Sequence, residues 1–106
     1  MHIRDFFNAG CMHDIPIGRG ARFQAHGHHF AVFRETFGHF YVFADESIDY
    51  IGPIFRGIIE NGHVSLPDGH TIDLHTGEYD HSGYYVPSFT SWVENGFILF
   101  SDESEN

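Results

Sequence analysis

Glycine punctuation constrains this chain more than any other feature. Twelve glycines are spread along 106 residues, and twelve phenylalanines stand among β-branched residues between them. Glycine costs a helix interior roughly 1 kcal/mol relative to alanine, whereas phenylalanine and β-branched side chains suit a pleated surface. The pattern predicts short strands and tight turns, an all-β chain. Arg22–His26 alternates and Phe30–Arg34 is an apolar, β-prone run, with Gly27-His28 between them as a hairpin turn. Phe40–Ala44 is a third strand. Residues 47–62 hold Gly52, Pro53, Gly57 and Gly62 and read as loop, since Gly52-Pro53 argues against a helix over Tyr50–Ile59. His63–Leu66 and Thr71–Leu74 form a small hairpin around the turn Pro67-Asp68-Gly69. Tyr84–Phe89 and Ser91–Glu94 lead to Asn95-Gly96, a strong hairpin signal, and Phe97–Phe100 follows. A single domain over residues 1–100 is expected, with the acidic stretch 101–106 as a disordered tail.

The charge balance narrows the partners. Fifteen acidic residues against five arginines give a formal charge of −10. No basic cluster exists, so nucleic acid is not an expected partner. No apolar run approaches membrane-spanning length, and the first residues lack the basic-then-apolar layout of a signal peptide. One cysteine, Cys11, rules out an intramolecular disulfide and suits a reducing compartment, so a cytoplasmic location without membrane contact is expected. An acidic surface suits a basic protein partner. Ten histidines would make net charge respond to mild acidification.

Residues 43–78 carry the most specific signal. They hold Pro53, Ile54 and Gly57, then Pro67 and Gly69, then Asp73, Leu74, Thr76, Gly77 and Glu78. In order and spacing these resemble the cluster-binding region of Rieske-type ferredoxins, whose pattern is roughly C-P-H-R-G-A-P-L-x-x-G, a short spacer, and C-P-x-H-G-x-x-F-D-L-x-T-G-E. The flanking strands extend the resemblance over roughly residues 12–100. It implies a Rieske-like ISP domain, a small antiparallel β-sandwich or barrel, with a degenerate cluster-binding subdomain over about residues 46–78. The ligands themselves are missing. Ser47 stands at the first Cys position, Asp49 at the first His, and Leu66 at the second Cys; Asp68 runs straight into Gly69, so the second His is deleted. A Rieske 2Fe–2S centre takes two thiolates and two imidazoles. Leucine cannot ligate, and one thiolate cannot hold two irons. No 2Fe–2S cluster, no other cofactor and no catalytic residue are expected.

The resemblance implies a cluster-less subunit, similar to the small subunit of NAD(P)H-dependent nitrite reductase or to an accessory subunit of a ring-hydroxylating oxygenase. Such a chain would not be an enzyme on its own; it would act by contact with a larger catalytic oxidoreductase subunit. Asp45, Glu46, Asp49, Asp68 and His70 are the expected partner-binding residues. Apolar contacts among Ile48, Ile51, Ile54, Phe55 and Leu66 are expected to replace the lost cluster as the link between the loops. One alternative is a small mononuclear metal protein using His63, His70 and His75, with His70 at the hairpin tip the best single candidate. A second is an electron-transfer ferredoxin with substituted ligands. His26-Gly27-His28 has metal-like spacing, but the matching downstream residues fit badly. Cys11 near His13 lacks the oriented base and oxyanion site a nucleophile needs.

Overall fold

A computed structural model gives the fold, and the structure describes residues 6–25, 27–35, 38–45 and 53–104. The described strands are β1 (Phe6–Cys11), β2 (Gly20–Ala25), β3 (His28–Arg34), β4 (Phe40–Ala44), β5 (Ile58–Glu60), β6 (His63–Ser65), β7 (Thr71–Asp73), β8 (Glu78–Tyr79), β9 (Tyr84–Tyr85), β10 (Ser88–Glu94) and β11 (Phe97–Ser104). Short 3-10 turns cover Met12–Asp14 and Ile54–Arg56, and no α-helix occurs among the described residues. One sheet has the order β1-β11-β10-β4-β3-β2; the other is a meander, β5-β6-β7-β8-β9, and every pairing is antiparallel. The six-stranded sheet curls into a nearly closed barrel. Phe7 on one edge strand and Phe23 on the other both lie against Phe100, with ring centroids 5.2 and 5.3 Å away. This is the all-β barrel-and-subdomain arrangement expected from the sequence.

Two apolar cores flank the same pair of strands. Phe30 and Val32 of β3 join Val42, Ile98 and Phe100 inside the barrel. Ala31 and Phe33 point the other way, with Phe43, into a cluster with Ile54, Val64, Leu66, Ile72 and Leu74 from the smaller sheet side. Successive strand residues face opposite sides, so covering both faces explains why Phe30-Ala-Val-Phe33 is apolar without alternation. Gly20 lets the Ile54–Arg56 turn approach the barrel, and Gly57 lets the chain entering β5 pack closely on β6. A Cβ on Gly20 would sit 2.6 Å from the Phe55 carbonyl oxygen, and one on Gly57 would sit 2.2 Å from Val64 Cγ1. Backbone pairing fastens the junction: Ile59 N–H donates to the Gly18 carbonyl at 2.9 Å, and Arg19 bridges Ile58.

Several boundaries differ from expectation. His28 begins β3 and pairs with Ala25, so it belongs to the strand rather than to a Gly27-His28 turn; Gly27 supplies the left-handed φ of 79°. Asn95 and Gly96 close β10 and β11 as the sequence indicates, both with positive φ. The tail expectation is corrected: β11 continues to Ser104, with Ser101 buried and paired to Phe6, because β1 and β10 supply hydrogen-bonding partners on both sides. Residues 105–106 lie outside the described residues.

Of the apolar residues expected to link the loops, Ile54 and Leu66 are buried in one cluster and Phe55 packs against it. Ile48 and Ile51 lie outside the described residues. Leu66→Ala is expected to destabilise the fold by roughly 2–5 kcal/mol, read from urea unfolding. A change below about 0.5 kcal/mol would mean that Leu66 does not link the loops.

Candidate functional site

The first loop of the degenerate region leaves β4 at Asp45 and re-enters the described chain at Pro53. Glu46, Ser47 and Asp49 fall between these points, outside the described residues; His26, between β2 and β3 in sequence, also lies outside them. Asp45 itself corrects an expectation. It was expected to meet a partner, yet it is 2% exposed. Its Oδ1 accepts the Ile54 N–H at 2.8 Å, and its own N–H donates to the His29 carbonyl at 2.9 Å. Arg22 Nε lies 3.6 Å from Oδ2, while Arg22 Nη2 donates to the Asp45 carbonyl at 3.2 Å. A 3-10 turn starts with unsatisfied N–H groups, and a short carboxylate at the loop base is a ready acceptor. The Phe55 ring lies under the Arg22 and Arg56 guanidinium groups at 5.8 and 5.6 Å.

The second loop is a closed turn. Gly69 N–H donates to the Leu66 carbonyl at 2.9 Å, and Leu66 N–H to the His70 carbonyl at 2.8 Å. Gly69 takes a φ of 95°, which favours glycine. Leu66, at the second Cys position of the resembled pattern, turns its side chain into the apolar cluster and is 7% exposed. Asp68 is exposed at the turn. A depression of about 180 Å³ remains between the loops, lined by Pro53, Arg56, Leu66, Pro67 and Asp68. Among the described residues, this lining carries neither a thiol nor an imidazole, the two ligand types of a Rieske 2Fe–2S centre.

The retained letters of the second loop have local jobs. Asp73 Oδ1 accepts N–H groups from His75 and Thr76 at 2.8 and 2.9 Å. Burial pushes the Asp73 carboxyl up, but the Thr76 and His75 N–H groups, the Thr76 side chain and nearby His63 together outweigh it, and the net shift is downward. Thr76 Oγ1 accepts from Glu78 N–H at 3.1 Å, and a Glu78 carboxylate oxygen accepts from Gly83 N–H at 3.0 Å. Gly77 is buried with a φ of 81° and receives Val86 N–H on its carbonyl. These residues shape the β7–β8 turn.

The candidate metal histidines are not brought together. His63 sits near Asp73 (Nε2 to Oδ2, 3.9 Å), and its ring centroid is 6.1 Å from that of His81. His75 stands edge-on to Tyr41, with centroids 5.8 Å apart. His70 is at the opposite end of the hairpin from His75. Among the described residues no group of three or more His, Cys, Asp or Glu is arranged to hold a metal ion. Cys11 ends β1, in the six-stranded sheet.

His70 is instead part of a polar clamp. Its Nδ1 bonds the Asp80 carboxylate, its N–H donates to Asp68 Oδ1 at 3.0 Å, and its ring tilts over Tyr79 with centroids 5.2 Å apart. The other Asp80 oxygen accepts the Thr71 N–H at 2.7 Å. Asp80 was not among the residues singled out from sequence; only its place in a short polar turn hinted at a role.

The fold has clear relatives among solved structures. A chain assigned as the NADH-dependent nitrite reductase small subunit of Mycobacterium tuberculosis superposes with a TM-score of 0.83 at 21% identity, over 96% of this chain and 98% of that one. The E. coli protein NirD gives 0.83 at 15% identity, over 96% and 100%. The ferredoxin of carbazole 1,9a-dioxygenase from Nocardioides aromaticivorans gives 0.77 at 14%, over 92% and 98%. These likenesses establish the fold as that of Rieske-type ferredoxins and nitrite reductase small subunits. No protein-family model matches the sequence, and no curated protein matches it significantly.

Two outcomes follow from the clamps. Asp45→Ala should cost about 1–3 kcal/mol, because the buried Ile54 N–H loses its acceptor, whereas Asp45→Asn keeps an acceptor oxygen and should cost less. Equal urea midpoints for wild type and Asp45→Ala would contradict this. The His70 imidazole is held above its ordinary value, chiefly by its hydrogen bond to Asp80, against opposing desolvation. Its stabilisation is therefore complete below the unfolded value of 6.5 and lost as pH rises through the raised folded value. Asp80 is held low, first by the Thr71 N–H, so its contribution is present above 3.8 and lost as pH falls through the depressed value. Wild-type stability should fall more steeply above pH 6.5 than that of His70→Gln. Parallel pH profiles would contradict the clamp.

Proposed function

We propose that this chain is a Rieske-fold subunit without a 2Fe–2S cluster, acting by protein–protein contact within an oxidoreductase assembly of the nitrite reductase or ring-hydroxylating oxygenase kind. The observation that carries the reading is Leu66: an apolar, buried side chain stands at the second Cys position of the resembled pattern, on a turn whose sequence passes from Asp68 straight to Gly69 with no second His between them. The chain's cysteine lies in β1, in the other sheet. The solved relatives include chains named as a nitrite reductase small subunit and as an oxygenase ferredoxin, which favours a larger catalytic subunit as the partner. A formal charge of −10 favours a basic docking face on that partner. Asp68 and His70 remain at the tip for such contact, whereas Asp45 is withdrawn from it. In this reading the chain positions or stabilises the catalytic subunit and carries no electrons.

The test is direct. Purified chain, before and after anaerobic incubation with iron and sulfide, is expected to stay colourless and to bind well under one iron. Two irons per chain with a Rieske-type visible spectrum would overturn the cluster-free reading. With a nitrite reductase or oxygenase large subunit, Asp68→Lys is expected to weaken complex formation about tenfold through charge reversal. Unchanged binding would remove the tip from the interface.

A further inference from the structure

The six-stranded sheet is split on one side. β4 and β10 pair only at Ser88–Phe43 and Phe89–Val42. Beyond those pairs the ladder between them stops, and the Ser91 hydroxyl donates to the Phe40 carbonyl at 3.0 Å across the gap. Two depressions of about 320 and 280 Å³ open there and share Phe40, Tyr41 and Ser91 as lining. Trp92 and His39 line the first, and His75 lines the second.

The chemistry of this cleft is aromatic wall plus carboxylate. Glu35 stands beside it, accepting the Tyr41 hydroxyl at 3.2 Å, with His39 Nδ1 3.7 Å away. The Arg34 guanidinium lies 5.8 Å over the Phe40 ring and donates to the Met12 and Ile15 carbonyls at 3.3 and 3.1 Å. The charged or titratable side chains at or beside the cleft are thus Arg34, Glu35, His39, His75 and the Tyr41 phenol, and Arg34 is already engaged by two carbonyls. Val93, 40% exposed, extends the apolar rim. Aromatic faces attract cations, arginine most readily because its planar guanidinium also stacks. The volumes suit a side chain better than a large cofactor.

We infer that the cleft between β4 and β10 is a docking socket for an arginine side chain of a basic partner protein, stacked on Tyr41 and Trp92 and paired with Glu35. The inference rests on the proposed docking role only for the existence of a protein partner. It lies at the end of the β6–β7 hairpin opposite the tip at 66–70, so it adds a second contact face.

The probe is N-acetyl-arginine amide, titrated into the isotope-labelled full chain and followed by NMR. Saturable shifts are expected for the Trp92 indole N–H and the His39 and Ser91 amides, with weaker binding, by about tenfold, in Glu35→Gln. The uncharged citrulline analogue should produce no saturable shift. An equal response to citrulline, or an unchanged affinity in Glu35→Gln, would overturn the socket. Trp92→Leu serves as a second variant, with thermal melting as the check on folding. A large subunit that binds wild type, Glu35→Gln and Trp92→Leu equally would sink the socket and leave the docking role standing. Arginine binding in the cleft without any large subunit binding would do the reverse.

Discussion

The carboxylate of Asp45 holds the junction on which the smaller sheet depends. It closes the base of the first loop on the Ile54 N–H, faces Arg22 from the barrel edge, and is tied by its own backbone to His29. A buried polar group left without its partner costs free energy, so removing the Asp45 side chain would leave the Ile54 N–H uncovered. Here one residue joins β2, β3, β4 and the 3-10 turn. The apolar cluster around Ile54 and Leu66 then packs in a place already fixed by polar contacts.

β3 and β4 are the structural spine. Each gives one face to the barrel and the other to the smaller sheet, so the two cores share a wall one strand thick. In a redox member of this fold a metal cluster would cross-link the two loops, and metal binding contributes to folding energy. Here buried Ile54 and Leu66 share one apolar cluster between the loops, and Asp73 and Thr76 accept N–H groups within the turn at 73–78. The scaffold residues are explained by hydrogen bonding within the turn.

Much of this was legible in the sequence. Phe30–Arg34, Phe40–Ala44 and the hairpin around Pro67–Gly69 announced themselves through apolar runs and turn chemistry, and Asn95-Gly96 adopts the positive φ pair its composition demands. β1 escaped notice because Asn8 and Gly10 interrupt it; the structure uses them as a bulge, with Asn8 Oδ1 accepting the Gly10 N–H at 2.7 Å. β5 lies in a glycine-punctuated stretch and is a strand only because β6 and Gly18-Arg19 flank it. Asp45 looked like surface charge because it precedes Glu46. Its burial is decided by Arg22 and Ile54, partners far away in sequence. The acidic end reads as a tail for the same reason: composition reports solubility, while pairing depends on what stands alongside.

The two sheets also differ in how far along the chain their strands reach. The smaller sheet is a meander in which each strand pairs with the next, so its loops are short. The barrel pairs Phe6 with Ser101, which requires nearly the whole described chain to be in hand. Closing a long loop costs more entropy and slows folding. The meander is therefore the fast-forming part, and the β1–β11 seam is the step that waits.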